Sequence, residues 1–291
     1  MNIIDIFTNP LILTMFLGAL LIGVLISLSA SLLGVTLVLK KYSMLGDGLA
    51  HIGFGSMAVA ALTEKILKNH LGGTLGDYSL LLSVPIVIIA AIFILKQNEQ
   101  SKLSGDSAIA LVSTSALAIG YIIYSYATGQ ASDVCSSMFG SASLLTPTTA
   151  DIVTTVILSA IVMIIFIACY NKIFAVTFDE TFSKAVGVNT EKYKTVIAVL
   201  VALTIVMGMK MLGTVMISGL IIFPALSSMR ICKTFRSVII SSAVISVLCS
   251  VIGILAAFLI KGLPIGPSVV MVNLAVYLAF SITEKIKAKK H

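Results

Sequence analysis

Apolar runs about as long as a bilayer is thick recur from one end of this chain to the other, and they leave it little choice of fold. Crossing a hydrocarbon core takes roughly 20 apolar residues. Segments at about 11–39, 48–62, 79–95, 107–127, 152–170, 195–209, 212–229, 238–260 and 267–283 approach or exceed that length. Inside lipid every backbone N–H and C=O must find a partner within the protein, so such segments are helices. The composition agrees: 58% of the 291 residues are hydrophobic and 11% charged, where soluble domains carry about a quarter charged. The pattern predicts an all-α, polytopic transmembrane helix bundle of about nine spans, forming a single domain over 1–291.

The basic residues orient it. With the N-terminus outside and the spans alternating, Lys and Arg in 40–41, 96–102, 172–194, 230–236 and 285–290 fall on the inner side. Fifteen basic residues then lie inside, and four (Lys65, Lys68, Lys210 and Lys261) lie outside. Cytoplasmic loops are enriched in Lys and Arg, so the C-terminus is expected in the cytoplasm. Only Lys210 and Met211 separate the sixth and seventh segments, which could instead form one broken unit. Two crossings are favoured, because fusing them would put the basic loops 171–194 and 230–237 on opposite faces. The first ten residues carry no Lys or Arg, and no small-residue cleavage site interrupts the first apolar run, so a secretory signal is not expected.

The net charge of +7 therefore reflects membrane sidedness and is no mark of nucleic-acid binding. Cys135, Cys169, Cys232 and Cys249 are far apart with no CxxC spacing, as expected of small hydrophobes rather than a disulfide or zinc framework. No GxxxxGK[ST] phosphate loop occurs, so ATP hydrolysis by that route would need a separate subunit. Two stretches between spans are long. Segment 128–150 is polar and small, and predicts a short external helix or cap. Segment 171–194 holds the i,i+4 pair Glu180–Lys184, which supports a short helix, and Gly187, placed to end it. It reads either as a docking element for a soluble partner or as a solvated connector.

Ionisable groups within spans are costly and mark function by default. The notable set is Asp47 and His51 in KKYSMLGDGLAHIGFGSMAVA. Four residues apart on a helix, both side chains leave the same face one turn apart. A carboxylate oxygen with an imidazole nitrogen suits Mn²⁺, Fe²⁺ or Zn²⁺ better than alkali ions. The competing readings are a structural hydrogen bond, a proton relay, or an interfacial N-cap at Asp47. Gly46, Gly48, Gly53 and Gly55 allow close backbone approach or a helix break. Two ligands per chain are few, and a two-fold homodimer would double them.

Other residues carry weaker signals. Met207, Met209, Met211 and Met216 read as core filler. His70 and His291 are expected in a loop and at the tail, and Asp133 with Cys135 in the external segment. Lys210 is expected to snorkel to the outer interface. Gly213, Gly219 and Pro224 predict a kinked or closely packed span.

Four stretches in order resemble the permeases of zinc, manganese and iron ABC importers, the ABC-3 family. These are SLLGVTLVLKKYSMLGDGLAH, FDETFSKAVGV, LGTVMISGLIIFPALSSMRICKTFR and LPIGPSVVMV, together spread over most of the chain. They are similar to the family's basic pair followed by G-D-A-L-S-H, its F-D-x-E-x-A-x-x-x-G-V coupling segment, its G-x-L-L-V-x-A-L-L-I-x-P-A segment and its closing L-P-x-G-P-x-I-V-L motif. Gly48 and Ala50 replace the usual Ala and Ser, and Phe182 stands where Ala is frequent, with Ala185 close by. Asp47 and His51 are kept.

The resemblance implies a type II ABC-importer-like fold in a bacterial inner membrane and a homodimer of permeases. It also implies a cytoplasmic ABC ATPase subunit and an extracytoplasmic metal-binding protein. No enzymatic role and no permanently bound cofactor are implied; a divalent Zn, Mn or Fe ion is the cargo. Asp47 and His51 would line its path. Asp179, Glu180, Lys184, Ala185 and Gly187 would seat segment 171–194 on the ATPase. The alternative is a secondary metal/proton transporter with Asp47–His51 as proton relay. Such proteins usually carry several intramembrane charges or inverted repeats, and neither is evident.

Overall fold

The computed structural model describes residues 10–40, 42–71, 79–100, 105–128, 138, 144, 146–260 and 263–288. Among them the chain forms eleven helices and no strand. These are α1 Pro10–Leu39, α2 Ser43–Leu71, α3 Ser79–Gln100, α4 Gly105–Thr128, α5 Thr149–Ala168, α6 Tyr170–Phe178, α7 Glu180–Ala185, α8 Thr190–Leu212, α9 Thr214–Met229, α10 Phe235–Leu259 and α11 Ile265–Ala288.

Among the described residues, seven helices are long and apolar enough to cross a membrane: α1, α2, α4, α5, α8, α10 and α11. The remaining two of the nine expected segments form shorter apolar helices, Leu82–Ile94 within α3 and Thr214–Met229. α9 is short because its 16 residues lie between Gly213, at φ 83°, and Arg230. At 1.5 Å per residue it is about 24 Å long. By the same measure the 30-residue α1 reaches about 45 Å, consistent with a tilted or protruding first span.

The broken-unit question has a geometric answer. Gly213 breaks the helix, and Ile217 of α9 packs against Gly208 of α8. A collinear continuation would hold those residues about 13 Å apart, so the chain turns back at Gly213. α9 itself stays helical through Pro224.

Local chemistry sets the other ends. Thr148 and Asp151 form a reciprocal capping box at α5. Asn189 accepts from the Lys192 N–H at the start of α8. Of the expected external segment 128–150, the described part is residues 128, 138, 144 and 146–150, where Leu144 is buried.

α1 is the hub, packing against α10, α9, α5 and α8. α2 packs most extensively on α4 and also meets α3, α9 and α8, while α11 closes against α9 and α10. α8 and α2 are the most buried spans and α4 and α5 the least. Lipid tails are as apolar as leucine, so helices associate by close packing and interhelical hydrogen bonds. The α1–α10 seam has both, with Ser246 donating to the Ser27 carbonyl at 2.9 Å and buried serines along its length. Ser29 and Ser159 meet at 3.0 Å between α1 and α5.

Candidate ion site and coupling segment

Asp47 is the fifth residue of α2 and His51 the ninth, so Asp47 lies inside the helix rather than at its N-cap. The helix is unbroken around them; its glycines serve close approach instead. A β-carbon on Gly46 would lie 3.3 Å from Ile221 of α9, one on Gly53 3.1 Å from the Met209 sulfur of α8, and one on Gly48 2.5 Å from Ile109 of α4. Ile109 therefore fills the volume that the usual alanine would take at position 48. The glycine-rich stretch draws three helices around one segment of α2.

Those contacts also fix its depth. Ile221 is the eighth of the 16 residues of α9, so the first turns of α2 lie level with the middle of that helix, about 12 Å from either end. There the Asp47 side chain is 49% exposed and that of His51 24%. The Ser218 side chain of α9 lies beside Asp47.

Asp47 Oδ2 and His51 Nε2 are 3.6 Å apart, beyond direct hydrogen-bond distance. The other imidazole nitrogen, Nδ1, is buried with no hydrogen-bond partner among the described residues. An oxygen and a nitrogen are thus presented together without being locked to each other. Zinc–oxygen and zinc–nitrogen bonds of about 2.1 Å each could span such a gap through one ion. Among the described residues no group of three or more His, Cys, Asp or Glu side chains gathers around a point. One chain therefore offers two such ligands here.

The five residues expected to form the coupling element lie together on α7 and its flanks. The Asp179 carboxylate accepts from the Phe182 N–H at 2.9 Å and caps the helix. Gly187 adopts φ 83° in open space. The N–H groups of Gly187 and Val188 bond back to Lys184 and Ser183, which completes a Schellman ending. Glu180 pairs with Lys184 at 2.9 Å, as its spacing predicts, and with Lys194 of α8 at 2.7 Å. Burial works against the Glu180 charge, but the pairs with Lys194 and Lys184 outweigh it and hold the carboxyl below its usual range. Ala185 is exposed, and Phe178, Phe182 and Val186 turn apolar surface outward.

Some expectations are corrected. Lys210 does not simply snorkel: its Nζ is 3.0 Å from Asp151, and both side chains are largely buried. The pairing ties the C-terminal end of α8 to the start of α5. His70 belongs to the last turn of α2 rather than a loop, whereas Asp133, Cys135 and His291 lie outside the described residues. Met209 packs with Phe54, Met57, Tyr124 and Met138, as filler would.

Sequence reading missed Ser218 beside Asp47, the Lys194–Glu180 pair, and Arg230 bonded to both Tyr277 and Glu284. Apart from the opposite charges themselves, no local pattern signals these pairings.

The sequence matches the ABC 3 transport family over residues 13–284. It is 27% identical over 255 residues to "High-affinity zinc uptake system membrane protein ZnuB" of Haemophilus influenzae, covering 87% of this chain and 91% of that one. It is 23% identical over 275 residues to "Manganese import system permease protein ScaB" of Streptococcus parasanguinis, covering 94% and 92%. The fold is similar to the solved structure "PsaBC from Streptococcus pneumoniae in complex with Fab", with a TM-score of 0.78 and 24% identity over 96% of this chain and 93% of that one. A match over nearly the whole length, in a chain with seven membrane-length apolar helices, makes this multi-pass membrane protein a member of the ABC 3 transport family.

Proposed function

We propose that this chain is the permease subunit of an ATP-driven importer and carries a divalent transition metal ion, Zn²⁺, Mn²⁺ or Fe²⁺, into the cytoplasm past Asp47 and His51. The observation that carries the reading is a half-exposed carboxylate beside an imidazole level with the middle of an apolar helix. A charge at that depth is expensive against lipid and marks a water-filled path or a facing protein surface. Two ligands bind a passing ion weakly enough to release it, as conduction requires. A second copy of the chain related by a two-fold axis would add its own pair.

In this reading all nine apolar segments cross or enter the membrane, with the N-terminus outside and the C-terminus in the cytoplasm. A cytoplasmic ATPase seats on residues 179–187, where Phe182 and Val186 offer apolar anchors. An extracytoplasmic binding protein delivers the metal. Relatives named for zinc and for manganese support the ion class and leave the choice within it open. The carboxylate and the imidazole replace part of the ion's hydration shell as it passes, and no bond is made or broken in the cargo.

The test is uptake of Zn²⁺ and Mn²⁺ into vesicles holding the reconstituted complex, with and without ATP. Asp47→Asn and His51→Ala should each cut uptake per folded complex severely, about tenfold or more, without loss of ATPase co-purification. Wild-type uptake in both variants would remove the pair from the path. Uptake driven by a proton gradient without ATP would favour the secondary-transporter alternative.

A further inference from the structure

Lys194 lies near the start of α8, and its side chain is only 12% exposed. Its Nζ is 2.7 Å from Glu180, the first residue of α7, and 3.6 Å from Glu191. α7 is six residues long and makes little other contact with α8. Beyond the short connector 186–189, the ion pair is therefore a principal tie between the coupling segment and the most buried span of the bundle.

From Lys194 to Met209 α8 runs 15 residues, about 22 Å, packed against α1, α2, α3 and α5. At its far end the Met209 sulfur lies where a side chain on Gly53 would stand, two residues past His51. Beyond Met209 the chain turns at Gly213 into α9, which brings Ser218 beside Asp47. α8, with α9 beyond the turn at Gly213, thus joins the cytoplasmic coupling segment to both sides of the Asp47–His51 pair.

We infer that the Glu180–Lys194 ion pair is the joint through which displacement of the coupling segment is passed to α8 and so to the ion site, with Lys194 as a positioning residue for transport. The inference rests on the reading that residues 179–187 dock onto an ATPase. Coupling between distant sites is carried by rigid elements joined through contacts that both ends can bias. The contact to Lys194, whose side chain is 12% exposed, is stiffer than the i,i+4 pair of Glu180 with Lys184, whose side chain is 54% exposed and which lies within the same short helix.

The experiment compares Lys194→Gln, Lys194→Arg and Glu180→Gln, each co-expressed with the ATPase, purified as the complex and reconstituted in vesicles. Zn²⁺ or Mn²⁺ taken up per ATP hydrolysed, ATPase co-purification and thermal midpoint are measured together. The expected result is that Lys194→Gln, outside the docking residues, keeps the ATPase bound and hydrolysing while ions moved per ATP fall about tenfold, and that ions per ATP fall likewise in the Glu180→Gln complex that forms. Lys194→Arg, which keeps the charge, should stay within about twofold of wild type.

Unchanged ions per ATP in Lys194→Gln and Glu180→Gln would overturn the inference. So would loss of the ATPase from the complex in Lys194→Gln, because the pair would then serve docking rather than transmission. Failure of the wild-type chain to retain an ATPase would instead remove the coupling reading itself, a result visible before any variant is assayed. If Lys194→Gln does not fold, Glu180→Gln decides, since it leaves Lys194 its second carboxylate partner, Glu191.

Discussion

Gly34 of α1 lies directly against the carbonyl oxygen of Ile221 in α9, so close that a β-carbon at position 34 would overlap it. The obstacle is backbone rather than a side chain that could change rotamer. The Ile221 side chain in turn rests on Gly46, next to Asp47, so this contact sets the separation of α1, α9 and the Asp47–His51 segment of α2. Gly34→Ala should destabilise the protein by about 1–3 kcal/mol and reduce metal uptake in the fraction that folds. Thermal unfolding in detergent alongside vesicle uptake checks it, and a wild-type midpoint would contradict the packing described.

The paired Glu180 predicts a pH dependence. Its carboxyl titrates below its ordinary range in the folded chain, so between the two values the unfolded state binds more protons and stability rises with pH. The contribution is present above the ordinary Glu pKa of about 4.3 and is lost as pH falls through that value and then through the lower folded one. Glu180→Gln should lower the thermal midpoint near neutrality and converge with wild type on acidification. Parallel midpoint curves for the two proteins would be inconsistent with a paired carboxylate.

Lys210→Met should expose the cost of an uncompensated carboxylate. Lys210 and Asp151 are 3.0 Å apart with side chains 13% and 14% exposed. Removing one partner of a largely buried pair costs more than the pair contributes net, here about 1–3 kcal/mol after allowing for the nearby interface. Thr148 still bonds Asp151 at 2.6 Å and limits the loss. The combined change Lys210→Met with Asp151→Leu should recover part of it; no recovery in the melting temperature would count against the pairing.

Topology is open to direct labelling. Lys184, in α7, and Ile260, at the end of α10, are both exposed. In a cysteine-free background, Lys184→Cys should react with an impermeant thiol reagent only from the cytoplasmic side and Ile260→Cys only from outside. Labelling of both from one side would exclude the proposed orientation.

Strain at Gly187 gives a final prediction. At φ 83° a side chain costs about 1–2 kcal/mol, although nothing lies within 4 Å of the position to clash. Gly187→Val should therefore loosen the end of α7 without disturbing the bundle. It should weaken ATPase co-purification or lower ions moved per ATP while membrane insertion stays normal. Wild-type transport with full ATPase stimulation would return the segment to an ordinary connector.

Much of this was readable from the chain alone. The apolar segments, the Asp47–His51 spacing and the Glu180–Lys184 pair depend on local order along a helix, and the structure keeps each of them. The break between the sixth and seventh segments was favoured only indirectly, from the placing of the basic loops, because it turns on the backbone conformation of Gly213. Lys210 was misjudged for a related reason. Its counter-charge, Asp151, stands 59 residues earlier, and nothing local distinguishes a lysine that reaches the interface from one that finds a carboxylate on a neighbouring helix.

The sequence by itself determined that these segments are helices, because lipid acts on each stretch separately and penalises any unpaired backbone group it meets. It did not determine which helices touch. Apolar side chains gain as little from lipid as from each other, so hydrophobicity cannot choose a partner, and close packing of backbone and small side chains makes the choice. Only the tertiary structure could therefore bring Ile221 to Gly34 and Gly46, Met209 to Gly53 and Ser218 to Asp47, and so place two ionisable side chains level with the middle of an apolar helix.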